Sequence, residues 1–241
     1  MFVKVCGTTS EEDALLAVAM GADAVGFIFA PSPRQVASDL VRDIVRRLPP
    51  EILTVGVFRD EAPQRVIDIC HRTGLRAAQL HGRETPEESA SVHANVPVLL
   101  KAFSAGDPGL ADALDHGADA VLVDAADPGS GEVFDWSLTD GVPAGVRRLV
   151  LAGGLRAGNV AAAIDRVRPW GVDVASGVES SPGHKDPRAL RAFISAARAA
   201  SPAGSAERYG GGDAGDPPDA DATGGGGHGD HLAPYDWQED G

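Results

Sequence analysis

Nowhere in the 241 residues do about eighteen apolar side chains follow one another, so a chain that crosses a membrane as a helix is excluded. Cysteine is nearly absent. Cys6 and Cys70 stand in unlike surroundings and cannot staple a chain of this size, so a disulfide framework has no support and each thiol is judged alone. Positive charge is short as well: 21 Lys and Arg against 35 Asp and Glu give −14, which speaks against a nucleic-acid partner and its need for a basic face. A small anionic ligand stays open. Lysine supplies only Lys4, Lys101 and Lys185, and arginine the other 18 basic residues, a bias that fits a GC-rich genome or a salt-adapted cytoplasm equally well. Met1 to Cys6 lack the basic region, apolar stretch and small-residue cleavage site of a signal peptide, so the chain is expected to stay in the cytoplasm.

The acid is unevenly spread. Residues 201–241 hold nine acidic residues against Arg208, a charge of −8, which leaves −6 on the first 200. With glycine runs, Pro217-Pro218 and almost no aliphatic side chains, this stretch cannot bury enough surface to offset its ordering entropy, and a disordered acidic tail is expected. Its end, His231 to Trp237, has aromatic anchors suited to a docking motif, although composition favours a solvating appendage. His228 and His231 without a cysteine cluster are a weak metal signal, and no metal site is expected.

Eight short aliphatic runs recur before residue 180: Val3 to Gly7, Ala24 to Phe29, Leu53 to Phe58, Ala77 to Gly82, Val98 to Phe103, Ala120 to Asp124, Arg148 to Gly153 and Val172 to Gly177. Between them Glu11 to Met20, Val36 to Arg47, Pro63 to Arg72, Asn159 to Val167 and Pro187 to Ala199 repeat apolar residues at helical steps, with Ser10 a good N-cap. Strands apolar on both faces and alternating with helices imply a parallel sheet, and eight units in about 200 residues suit a closed (β/α)8 barrel of the TIM type. An open doubly wound sheet is the competitor, but no Gly-x-Gly-x-x-Gly follows the first strand. The expectation is an α/β chain with a single barrel domain over residues 1–200 and a tail over 201–241.

In such a barrel the C-terminal strand ends face the active site. Gly153-Gly154 and Ser176-Gly177 end neighbouring strands, so their backbone amides and the Ser176 hydroxyl can converge on one phosphate. Asp124 ends the sixth strand among apolar neighbours that raise a carboxyl toward general-acid duty. Cys6 ends the first strand and reads either as a base, once its thiol pKa falls, or as a small buried hydrophobe. His81 reads as a positioning residue, Arg34 as a carboxylate clamp or a surface arginine, and Cys70 as core. A thiol and a carboxylate across a phosphate-gripping barrel, without a cofactor loop, suggest proton transfers on a sugar phosphate.

Val3-Lys4-Val5-Cys6-Gly7, Gly21 to Phe29, Gln79-Leu80-His81-Gly82, Phe134-Asp135-Trp136, Leu151 to Leu155, Val172 to Glu179 and Pro182 to Asp186 resemble phosphoribosylanthranilate isomerase of tryptophan biosynthesis, in order from residue 3 to about residue 198. The resemblance implies a cofactor-free Amadori rearrangement of N-(5-phosphoribosyl)anthranilate to 1-(2-carboxyphenylamino)-1-deoxyribulose 5-phosphate. It implies Cys6 as general base and Asp124 as general acid. Arg34 would hold the anthranilate carboxylate, with Gln79, His81 and Asp173 near the substrate, and Gly153, Gly154, Ser176 and Gly177 on the phosphate. Asp173 could equally brace the site. Glu132 stands where the family commonly has a positive charge. A bifunctional isomerase that also takes the histidine-pathway substrate generally uses two aspartates, which Cys6 argues against. A non-catalytic scaffold whose tail docks another enzyme of the pathway would have no need of both Cys6 and Asp124.

Overall fold

The computed structural model describes residues 1–125 and 135–201. The tail over 202–241 and the loop that carries Glu132 lie outside the described residues, and so do the expectations attached to them.

Eight parallel strands close into a barrel in sequence order. They are β1 (Phe2–Val5), β2 (Ala24–Ile28), β3 (Leu53–Phe58), β4 (Ala77–Leu80), β5 (Val98–Ser104), β6 (Ala120–Asp124), β7 (Leu149–Leu151) and β8 (Gly171–Val174). The seam between β8 and β1 pairs Phe2 with Gly171 and Val5 with Val174. Helices α1 (Glu11–Ala19), α2 (Ser38–Val45), α3 (Pro63–Thr73), α4 (Pro86–His93), α5 (Val160–Val167) and α6 (Pro187–Ala199) wrap the outside. No described helix is long and apolar enough to cross a membrane.

Local chemistry explains most boundaries. Ser10 caps α1 by accepting from the Asp13 amide at 3.1 Å, as expected. Expected strand ends run long at β1, β4, β7 and β8, because Gly7 and Gly153 turn the chain at positive φ and Ser176–Val178 form a 3-10 turn. Val36 does not open α2: its amide bonds Ile28 carbonyl and Gln35 bridges to Ile28, which extends the β2 edge instead. Helix α4 went unread, although Thr85 and Glu88 form a reciprocal capping box. The connections after β5 and β6 are 3-10 turns, Pro108–His116 and Trp136–Gly141, rather than α-helices. A further hairpin, β9 (Glu179–Ser181) with β10 (His184–Lys185), was also unread.

Side chains alternate across each strand, so every second residue points into the barrel. Phe2, Leu53, Val55, Val98, Leu100, Ala120, Leu122 and Val150 fill its lower part as one apolar cluster. The same inward rows continue upward into Lys4 and Cys6, Gln79 and His81, Asp124, and Asp173. The period of two that builds the core therefore delivers polar groups to the mouth.

All three lysines of the chain end up inside: Lys4 is 0% exposed, Lys101 2% and Lys185 5%. Each meets a carboxylate, Asp173 at 3.0 Å, Glu84 at 2.6 Å and Glu179 at 2.9 Å respectively. An amine-reactive ester should therefore label no lysine of the folded protein, with all three lysines reacting in denaturant. Peptide mapping that found rapid native labelling of any lysine would contradict this burial.

Candidate active site

The mouth of the barrel opens into a cleft of about 340 Å³ walled by Cys6, Arg34, Gln79, His81, Asp124 and Asp173 among others. Beside it lies a cup of about 40 Å³ formed by Asp124, residues 152–155 and residues 173–177. Every residue singled out for the site lines one of these two spaces. Their distances to one another follow from a few local devices.

Asp124 ends β6 with its Oδ1 accepting from the Ala125 amide at 2.7 Å. Gly153 is packed against it, since a Cβ there would stand 2.5 Å from the Ala125 nitrogen and 3.1 Å from Asp124 Oδ1. Burial, and then the charge of Asp173, push the Asp124 carboxyl up to about 7. His81 Nε2 faces Asp124 Oδ2 at 3.7 Å, while its Nδ1 meets the Gln79 amide nitrogen at 3.3 Å. Burial, with the Lys4 and Lys101 charges behind it, pushes His81 down to about 4, so the ring is neutral. Gln79 Oε1 and His81 Nε2 are buried without a hydrogen-bond partner among the described residues. Such groups are costly to leave unpaired and suit a polar ligand.

Cys6 lies opposite, one residue past β1, its amide bonded to Val174 carbonyl at 2.8 Å. Burial raises the thiol pKa, and neither Lys4 nor Lys185 overcomes it, while Asp173 adds to the rise. The thiol is neutral in the free site. Cys70, by contrast, sits in the α3 core, pushed up by burial to about 12.

Arg34 is no surface arginine. Its Nε and Nη2 hold Glu179 through three bonds of 2.8–3.1 Å, and Lys185 binds the same carboxylate while donating to the Cys6 carbonyl at 2.6 Å. Burial opposes the charge on Glu179, but the Arg34 bonds and Lys185 outweigh it and hold it below the ordinary range. A Cβ on Gly7 would strike Arg34 Cδ at 2.5 Å, so glycine there lets the arginine lie across the end of β1. Gly154, Ser176 and Gly177 line the small cup. A Cβ on Gly177 would fall 1.8 Å from the Leu155 carbonyl oxygen, so only glycine lets the seventh and eighth loops approach this closely.

Asp173 both lines the cleft and accepts from Lys4 at 3.0 Å. Lys4, Glu84, Lys101, Glu179 and Lys185 were not singled out from the sequence. The readable signal was the rarity of lysine itself: in a chain that otherwise uses arginine, these three positions take a compact ammonium where a planar fork would not fit. Among the described residues no group of three or more His, Cys, Asp or Glu is placed to hold a metal ion.

The fold and site define a (β/α)8 barrel with a carboxyl and a thiol facing one cleft beside a glycine-walled cup. Residues 3–196 match the family model described as N-(5'phosphoribosyl)anthranilate (PRA) isomerase. The curated N-(5'-phosphoribosyl)anthranilate isomerase of Desulforudis audaxviator is 47% identical over 205 residues, 82% of this chain and 98% of its own. That of Thermotoga petrophila is 42% identical over 200 residues, 81% of this chain and 98% of its own. Phosphoribosyl anthranilate isomerase from Thermus thermophilus superposes with a TM-score of 0.76 at 39% identity, covering 83% of this chain and 99% of that one. A phosphoribosyl anthranilate isomerase in complex with reduced 1-(o-carboxyphenylamino)-1-deoxyribulose 5-phosphate gives 0.73 at 40% identity, with the same coverage of 83% and 99%. The chain belongs to the phosphoribosylanthranilate isomerase family.

The Asp124 environment has a stability consequence. A carboxyl that titrates near 3.8 in the open chain and about 7 in the fold binds its proton more tightly when folded. Its contribution is full below pH 3.8 and is lost as the pH rises through about 7. Asp124→Asn should therefore be more stable than the native chain at pH 8, by on the order of 2–4 kcal/mol, and no different at pH 4. Thermal melts at the two pH values check this, and equal melting points at pH 8 would refute it.

Proposed function

We propose that this chain catalyses the Amadori rearrangement of N-(5-phosphoribosyl)anthranilate to 1-(2-carboxyphenylamino)-1-deoxyribulose 5-phosphate. The observation that carries it is the placing of a carboxyl raised by burial to about 7 and a thiol on one cleft, beside a cup walled by the seventh and eighth loops. Residues 1–200 supply the chemistry, and the cytoplasm is the compartment this reading assigns. A solved relative is in complex with reduced 1-(o-carboxyphenylamino)-1-deoxyribulose 5-phosphate, a phosphorylated sugar joined to a carboxyphenylamine, and in this reading the cup takes its phosphate and Arg34 its carboxylate.

Asp124 gives its proton to the ribose ring oxygen as the C1–O bond breaks, and the nitrogen lone pair closes a C1=N iminium. The Cys6 thiolate then takes the C2 proton. The released electron pair becomes C1=C2 and the iminium electrons return to nitrogen, which leaves a neutral enolamine. Protonation at C1 and loss of the O2 proton give the ketone. Arg34, with Nε and Nη2 held by Glu179, offers its remaining edge to the anthranilate carboxylate. Gln79 Oε1 accepts from one sugar hydroxyl and His81 Nε2–H donates to another, and Gly153, Gly154, Ser176 and Gly177 supply backbone and hydroxyl donors to the phosphate.

The active protonation state pairs a charged thiolate with a neutral carboxyl, although the carboxyl is the stronger acid. kcat/KM should therefore climb to about pH 7, where Asp124 titrates, stay level, and fall only above the thiol pKa. Loss of phosphoribosylanthranilate fluorescence follows turnover, and Cys6→Ser and Asp124→Asn should each lower it about a hundredfold or more. A native chain with no turnover would overturn the proposal, as would a Cys6→Ser variant with undiminished activity.

A further inference from the structure

Lys4 is the most deeply buried charge of the barrel, with 0% of its surface exposed. Its Nζ donates to Asp173 Oδ1 at 3.0 Å across the β1–β8 seam. The Cys6 sulfur lies on the same side. Both groups crowd the bare face of Gly26 on β2, where a Cβ would stand 2.8 Å from Cys6 Sγ and 3.2 Å from Lys4 Nζ. Gly26 thus makes the recess at the floor of the cleft in which the buried ammonium meets the thiol and the carboxylate.

We propose that Lys4 is a positioning residue for the proton transfer at Cys6: its ammonium, fixed between Asp173 and the sulfur, serves as the counter-charge of the thiolate. This rests on Cys6 being the base, as in the reading above. Asp173 alone would oppose a second negative charge beside it, and with Cys6 only 6% exposed little solvent reaches the sulfur to take the place of a cation. With Lys4 between them, the ammonium can lean from the carboxylate toward the thiolate as the proton leaves. The remaining charges around Cys6 are committed elsewhere. Lys185, from β10, spends its ammonium on the Cys6 carbonyl and Glu179, and Arg34, from the loop after β2, is held by Glu179. Asp124, on β6, faces the same cleft and carries its proton below about pH 7.

A brace between two strands and a counter-charge for sulfur differ in what they do to the thiol. Alkylation of Cys6 by iodoacetamide, followed against pH by peptide mass spectrometry, reads the thiolate directly, with Cys70 in the same sample as the control. Lys4→Met, close in volume and without charge, should slow Cys6 alkylation at fixed pH by tenfold or more and move its midpoint upward. Asp173→Asn should move the midpoint downward, because it removes a negative charge and frees the ammonium for sulfur. Cys70 should not move in either variant. An unchanged Cys6 midpoint, or displacement of both variants in the same direction, overturns the proposal. If Lys4→Met does not fold by circular dichroism, Asp173→Asn decides alone, and an unchanged or raised midpoint there is refutation. The readout needs no substrate, so it is separate from the turnover assay, whose failure would sink the isomerase reading instead.

Discussion

Three ammonium groups shut away from water must each be met by a carboxylate, and around these three pairs the mouth of the barrel is assembled. Lys4–Asp173 ties β1 to β8 from inside, while Lys101–Glu84 holds the loop after β4 onto β5, with Glu84 also accepting from the Asp60 and Gly82 amides. Lys185–Glu179 folds the β9–β10 hairpin over the end of β1. A buried pair is a poor source of net stability, because desolvating two ions costs about as much as their attraction returns. What such pairs do provide is a fixed place for charge. With Asp124 protonated, the three lysines and Arg34 exceed the three carboxylates by one positive charge, at a site proposed to take a substrate with a phosphate and a carboxylate.

The same burial acts with opposite usefulness on the two groups that face the cleft. It keeps the proton on Asp124, the state a general acid needs, and keeps the proton on Cys6, which a base must lose. The imbalance is relieved by the reaction itself. In the proposed mechanism, once Asp124 opens the ring the substrate nitrogen carries a positive charge adjacent to the carbon that must lose a proton, and a cation there favours thiolate over thiol. Base strength would thus arrive with the intermediate that requires it, and a permanently ionised sulfur, open to oxidation in the free protein, is avoided.

The architecture was legible because both periods were clean: eight aliphatic runs alternating with helical repeats leave few topologies beyond a closed barrel. Boundaries were less so, since Gly7, Gly153 and the 3-10 turn at Ser176 end strands by backbone conformation that aliphatic patterning does not register. The residues facing the site, Cys6, Asp124, Gly154 and Gly177 among them, could be read from their positions at strand ends. Their supports could not. Glu179 and Lys185 lie on a hairpin of three and two residues, too short for a periodic signal, and Lys4 looked like one polar residue inside an apolar strand. Patterning left Cys6 open between a base and a small buried hydrophobe, because a strand-end position does not show how far burial raises the thiol.

Arg34 shows why such supports matter. A free arginine at the rim would lose rotamer freedom on every binding event, whereas one held by Glu179 at 2.8–3.1 Å has lost it on folding. The carboxylate that fixes it would also cancel its charge, were it not that Lys185 binds the same Glu179 from the other side. The pair behaves as an arginine with its orientation set and much of its field retained. Through the Lys185 bond to the Cys6 carbonyl, the proposed carboxylate clamp and the proposed base are held by one rigid connection, so that a substrate gripped at its aromatic end would reach the thiol at a distance the barrel has already set.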